Sequence, residues 1–203
     1  MKVLILGAGG HGKVVADILL KQGMSVLGFL DDDPALWGNE QLGIPILGGI
    51  DQFARYSPEG LALGIGSNRV RQRIVTRLGG CAEPLWINAI HPNATIGMNV
   101  RLGRGVVLAA NVVINADSSI GDHVIVNTGA TVDHDCTLCD FCHVAPGVHL
   151  AGGVTIGTGT LMGIGSVTIP LCSIGEWSTI GAGATVIRDI PSRVTAIGTP
   201  ARW

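Results

Sequence analysis

A chain of 203 residues with a formal net charge of -2 and 14% charged side chains gives no electrostatic reason to expect nucleic acid or an anionic membrane surface as partner. Its 31 glycines beside 4% aromatics suit a repetitive backbone with tight turns, and the absence of a G-X-Y period excludes collagen. The opening apolar run is too short for a signal peptide, nothing later reaches bilayer length, and five cysteines read as thiols, so the expectation is a cytoplasmic protein.

Val3 to Leu6 has the length and apolarity of a buried parallel strand. It runs into Gly7-Ala8-Gly9-Gly10-His11-Gly12, a complete G-x-G-x-x-G, and then into a helical pattern from Lys13 to Gln22. Val26 to Leu30 predicts a second strand ending at Asp31-Asp32-Asp33. In this fingerprint the glycines let main-chain N–H groups approach a phosphate at a helix N-terminus, and an acid about 20 residues on meets a ribose hydroxyl. Gly9 of the fingerprint and the acids Asp31 and Asp32 are therefore candidate nucleotide-binding residues.

After Pro45-Ile46-Leu47 the pattern predicts a short helix over Ile50 to Tyr56, a third strand over Leu61 to Ile65, and a helix over Val70 to Leu78. Gly66-Ser67-Asn68 follows that strand, where such sheets collect ligands, although a helix N-cap explains Ser67 or Asn68 equally well. This is one mononucleotide-sized β-α-β unit with extensions, about half of what a dinucleotide fold needs, which favours a nucleotide head group over NAD. The reading is a Rossmann-like nucleotide-binding domain over residues 1–85.

From Ile96 every sixth residue is aliphatic through Val186, apart from Thr168, and the next residue is often glycine, as at Gly97, Gly157 and Gly175. The fourth residue after each aliphatic is mostly small or β-branched, such as Val112, Ala130 and Val154. Helices do not repeat at six and ordinary strands repeat at two; a hexapeptide period is the mark of a parallel β-helix. Three faces per coil and about 4.8 Å between strands give residues 86–203 a prism of a little over five coils, ~25 Å tall. Glycine is expected to supply positive φ at the turns, and apolar residues on the flat outer faces favour a symmetric oligomer.

The coil carries the candidate chemistry. His134 stands between Asp133 and Asp135, and a histidine beside carboxylates is oriented and has its imidazolium stabilised, as a general base requires. His143 follows half a coil later, on a different face or edge. Cys136, Cys139 and Cys142 invite a metal reading, but Cys136 and Cys142 fill interior slots on different faces, a spacing the period imposes on any residue; no metal is predicted.

The chain resembles the bacterial nucleotide-sugar N-acetyltransferases that acetylate UDP-4-amino-sugars or GDP-perosamine, and their sialic acid O-acetyltransferase relatives. The resemblance rests on Gly7 to Val14, Phe29-Leu30-Asp31-Asp32, Gly64-Ile65-Gly66-Ser67-Asn68-x-x-Arg71, His134-Asp135-Cys136, His143-Val144, Ala151-Gly152 and the ending Ile197 to Arg202. It implies a left-handed β-helix, a cytoplasmic homotrimer with acetyl-CoA lying between neighbouring prisms, and a nucleotide-activated amino-sugar of the UDP-4-amino-4,6-dideoxy type as acceptor in glycan biosynthesis. His134 would be the base and Asp135 its orienting acid, where family members often have glutamate. His143 would lie near the acetyl group or pantetheine arm, and the Gly152 N–H would steady the oxyanion. Gly10, His11, Asp31 and Asp32 would hold the nucleotide. Alternatives are a sugar O-acetyltransferase and a non-catalytic, oligomeric nucleotide-binding scaffold.

Overall fold

The computed structural model describes residues 1–82 and 85–203, so Glu83 and Pro84, near the end of the expected first domain, lie outside the described residues. The chain divides into two compact units, Met1–Pro92 and Asn93–Trp203.

The first unit is built on β1 (Lys2–Leu6), α1 (Gly10–Lys21), β2 (Ser25–Leu30), β3 (Glu40–Gln41), β4 (Ile44–Gly48), β5 (Gly60–Leu63) and α2 (Asn68–Leu78). Its sheet has five strands in the order β3-β4-β2-β1-β5. The strands from β4 to β5 are parallel, whereas β3 pairs antiparallel with β4. Parallel strands covered on both faces must be apolar throughout, and Val3, Leu4, Ile5, Leu6, Leu61 and Leu63 are buried. Each such side chain taken from water contributes roughly 1.5–3 kcal/mol. The expected helix over Ile50–Tyr56 is a 3-10 helix.

The β3–β4 hairpin was not legible: its two-residue turn, Leu42-Gly43, holds both residues at positive φ without the Asn-Gly signal of such turns. The unit also runs past residue 85. Trp86 bridges to Leu61, and the Ile87 N–H donates to the Leu61 carbonyl at 3.1 Å, which ties this segment to the edge of the sheet.

The second unit is a parallel β-helix. Two-residue strands recur every six residues from Thr95–Ile96 to Thr185–Val186, and each as far as Val167–Thr168 pairs with the strand 18 residues on, as Val113 with Thr131 and Thr131 with His149. Three flat sheets result. The sixfold aliphatics from Leu108 to Val186 point inward, as do Val112, Ala130, Val148 and Val154.

Turn geometry refines one expectation. Positive φ recurs at every sixth residue from Asn99 to Gly183, three residues after each register position, and glycine supplies it at seven of those fifteen corners. Several of those corners are not glycine: Asp135, Phe141, Leu171 and Trp177 all adopt it. The glycines that follow the aliphatics serve close approach instead. A Cβ at Gly157 would stand 2.5 Å from the Glu176 nitrogen of the next coil.

Candidate active site

Two groups of sequence-derived candidates are brought together by the structure, one in each unit. In the first unit, Gly7, Gly9, Gly10, His11, Asp31, Asp32, Gly64 and Gly66 line one cavity of about 330 Å³ with Ile50, Ile65, Val70 and Ile74. The glycines divide by role. A Cβ at Gly12 would lie 2.3 Å from the Gly7 carbonyl oxygen, and one at Gly64 2.5 Å from the same atom, so these two allow β1, α1 and β5 to meet. At Gly9 and Gly10 a Cβ would meet nothing within 4 Å, and neither has positive φ. The protein does not itself require glycine there; an approaching ligand would.

The acids at the end of β2 also hold the frame. Asp31 accepts from the Ala8 N–H at 2.7 Å and the Asp33 N–H at 2.9 Å, one on each carboxylate oxygen, and so clamps the glycine loop. Asp32 receives both terminal nitrogens of Arg77, at 2.8 and 3.2 Å, and its hydrogen bond raises the Arg77 pKa. Two residues given no role in the sequence complete the frame, Arg71 among them although it ends the motif that begins at Gly64. Gln41 donates its side-chain amide to the Ala8 carbonyl, and the buried Arg71 donates to the carbonyls of Ile65, at 3.2 Å, and Gly66, at 2.9 Å. Arginine spaced among three other arginines on α2 reads as solvated, which hid its role.

In the second unit His134 sits at a corner, between the strands Thr131–Val132 and Thr137–Leu138. Its Nδ1 is 2.7 Å from Asp135 Oδ2, and both side chains are exposed, at 62% and 65%. Asp135 reaches back because its φ of 59 turns the chain at this corner, so the shorter carboxylate suffices. The Asp135 hydrogen bond, aided by the Asp133 charge, raises the His134 pKa above the ordinary imidazole value. Asp133 is itself held ionised, its pKa lowered by the Asn115 amide at 2.9 Å and by the His134 N–H at 2.9 Å.

One coil further on, Gly152 lies against the imidazole: a Cβ there would be 2.7 Å from both Cε1 and Nε2 of His134. His134, Asp133, Asp135 and Gly152 line a shallow pocket of about 360 Å³ with Ala151, Gly153, Pro170 and Leu171. His143 is not part of it. It begins a strand of another sheet, with Nε2 3.2 Å from Asn127 Nδ2. Among the described residues no group of three histidine, cysteine or acidic side chains gathers to hold a metal. Cys136 and Cys142 are buried thiols, and each lies within bonding distance of a main-chain carbonyl.

A glycine-cradled cavity in an α/β unit and a carboxylate-bound histidine on a hexapeptide coil define the class of hexapeptide-repeat acyltransferases. Residues 2–78 match the PglD N-terminal domain family. The chain is 42% identical to PerB of Caulobacter crescentus, solved in complex with CoA and GDP-perosamine; the match covers 100% of this chain and 96% of that one, with a TM-score of 0.92. It is 36% identical to the acetyltransferase domain of PglB from Neisseria gonorrhoeae, solved with acetyl coenzyme A, over 99% of this chain and 98% of that one, with a TM-score of 0.88. WeeI of Acinetobacter baumannii is 25% identical over 100% of the chain, with a TM-score of 0.77. An uncharacterized mimivirus protein, L142, is 37% identical over 98 residues, 48% of this chain but only 19% of that protein. The chain belongs to the nucleotide-sugar N-acetyltransferase family, and its coil is the left-handed parallel β-helix of that family.

Proposed function

We propose that the protein moves the acetyl group of acetyl-CoA onto the amine of a nucleotide-linked 4-amino-4,6-dideoxy sugar, in the cytoplasm and as a homotrimer, with His134 as general base. The observation that carries this reading is the pairing of His134 with Asp135 directly against Gly152. Asp135 accepts a hydrogen bond from the Nδ1–H, which leaves the unprotonated Nε2 as the basic nitrogen on the side of Gly152. As the amine nitrogen bonds to the thioester carbon, Nε2 accepts its proton. The oxygen that gains charge is met by the Gly152 N–H, which has no acceptor among the described residues. Breaking the C–S bond then releases the thiolate, which the imidazolium can protonate, and no covalent enzyme intermediate is needed.

The glycine cradle supports nucleotide binding, because Gly9 and Gly10 leave open space where main-chain N–H groups could meet phosphate. The exposure of His134 supports the trimer: a shallow corner needs a neighbouring prism to exclude water, and His143 would then act from that neighbour. The expected mass in solution is three times the 20.9 kDa chain. The sequence resemblance favours UDP as carrier, whereas likeness over the full length to a protein that binds GDP-perosamine favours a GDP acceptor.

Transfer assays with UDP- and GDP-linked amino-sugars, and with a sialic acid as hydroxyl acceptor, decide among these. His134→Ala is expected to lower kcat by ~10²–10⁴-fold while leaving acetyl-CoA affinity nearly intact. Wild-type turnover in that variant overturns the base assignment.

A further inference from the structure

Thr168 is the one residue that breaks the sixfold aliphatic register, and the structure gives the break a consequence. From Gly97 to Ile169, each residue that follows a register position donates its N–H to the main-chain carbonyl 17 residues on: Asp133 to Leu150, Ala145 to Met162, Gly157 to Ile174. Ala151 alone departs. Its N–H goes to the Thr168 side-chain hydroxyl at 3.1 Å, and the strand pairing between the two coils is cut to the single pair His149 with Val167. The largely buried Thr168 side chain thus replaces a rung of the ladder, one residue before Gly152.

The same stretch is held from inside the prism on its other side. The Cys136 thiol, 1% exposed, donates to the Ala151 carbonyl at 3.3 Å. That carbonyl and the Gly152 N–H belong to one planar trans peptide, so a bond that draws the oxygen inward turns the N–H outward. The outward side is the pocket that holds the His134 ring. A fully regular rung at Ala151 would hold the preceding Leu150–Ala151 peptide as in every other coil, so the Thr168 and Cys136 bonds fix the peptides on either side of the Ala151 Cα.

We propose that Thr168, with Cys136, is a positioning residue for acetyl transfer: Thr168 holds the Leu150–Ala151 peptide and Cys136 the Ala151–Gly152 peptide, and together they fix the main chain at Ala151 and so aim the Gly152 N–H at the developing oxyanion. This inference rests on the acyl-transfer reading of the site. Neither side chain touches substrate; both act through the main chain at Ala151. An aliphatic residue at position 168 would restore the sequence repeat and, with it, the ordinary ladder.

The test compares Thr168→Val with Thr168→Ser in acetyl-transfer kinetics. Removing an oxyanion donor outright costs about 10²–10³-fold in kcat, so misaiming it in Thr168→Val is expected to lower kcat by ~10-fold or more. The KM for acetyl-CoA should change by less than about threefold, since only a transition-state contact is lost. The acid limb of the pH profile should not move, because His134 sets it. Thr168→Ser, which keeps the hydroxyl, should recover most of the rate. Wild-type kcat in Thr168→Val overturns the proposal, and so does a Ser variant as impaired as the Val variant, which would mean that the methyl packing mattered and the hydrogen bond did not. Should Thr168→Val fail to fold, Cys136→Ala against Cys136→Ser decides by the same criteria, with the ladder at 168 left untouched. Absence of acetyl transfer in the wild-type protein would remove the parent reading and this one together; an active wild type with an unimpaired Thr168→Val removes this one alone.

Discussion

The two candidate sites are built in opposite ways. In the α/β unit every candidate lines one concave cavity, because crossovers bring strand ends and a helix start from distant parts of the chain to one place. In the β-helix the candidates keep the regular spacing of the coil, so side chains either stack on the same corner, as His134 over Gly152, or fall on different sheets, as His143 does. A sheet that folds back gathers a site in one place; a prism spreads its side chains along corners and faces. Glycine follows the same division, since some glycines in the α/β unit hold the fold together and others only leave room.

That division can be broken most forcefully in the α/β unit. Gly12→Ala would force a Cβ to within 2.3 Å of the Gly7 carbonyl oxygen, where main chain must move to relieve it. A loss of ~2–4 kcal/mol in unfolding free energy is expected by urea titration. Gly9→Ala, three residues earlier in the same motif, meets no atom within 4 Å. Its stability should stay within about 0.5 kcal/mol of wild type, while nucleotide affinity, read by calorimetry, weakens. Equal destabilisation by both variants would mean that the glycines are purely structural.

The motif itself was readable because strand, glycines, helix and acid follow in order, and the coil was readable because any residue list taken at intervals of six exposes it. What escaped depends on contacts between distant residues. The clamp of Asp31 on Ala8, the Arg71 cap on Ile65 and Gly66, and the Asn115 support of Asp133 each join positions whose types alone are common on surfaces. Thr168 was visible as an irregularity, but only the ladder shows that its hydroxyl takes an N–H from the neighbouring coil. Glycine alone does not mark the corners, because it serves two different needs, and at the corners of this prism Asp135, Phe141 and Leu171 accept a conformation that glycine would adopt more readily.

A smaller effect sharpens the account of the coil site. Asp135→Asn replaces the carboxylate whose hydrogen bond chiefly raises the His134 pKa with a neutral, weaker acceptor, while Asp133 still contributes its charge. With the raised value, His134 stays protonated to higher pH than an ordinary imidazole and is inactive as a base while protonated. Lowering that value moves the acid limb of kcat/KM to lower pH. The plateau should fall by ~10-fold, because the base is weaker and its ring less well oriented. An acid limb that stays in place in Asp135→Asn would mean that His134 is not the group whose ionisation controls the rate.

The smallest expected change lies at the hairpin that the sequence concealed. Leu42 has a φ of 54 and is 59% exposed, and Gly43 beside it has a φ of 71. A β-branch-free but bulky side chain in the left-handed region is strained, while its exposure means that little burial offsets the strain. Leu42→Asn would place Asn-Gly in a two-residue turn of the type that this pair favours. The variant should therefore gain ~0.5–1 kcal/mol in stability, measured by chemical denaturation. Acetyl transfer should be unaffected, since Leu42 belongs to neither pocket. A loss of stability instead would mean that Leu42 makes an apolar contact worth more than its strain, and that the edge of the α/β sheet, like the corners of the prism, tolerates left-handed residues for packing reasons.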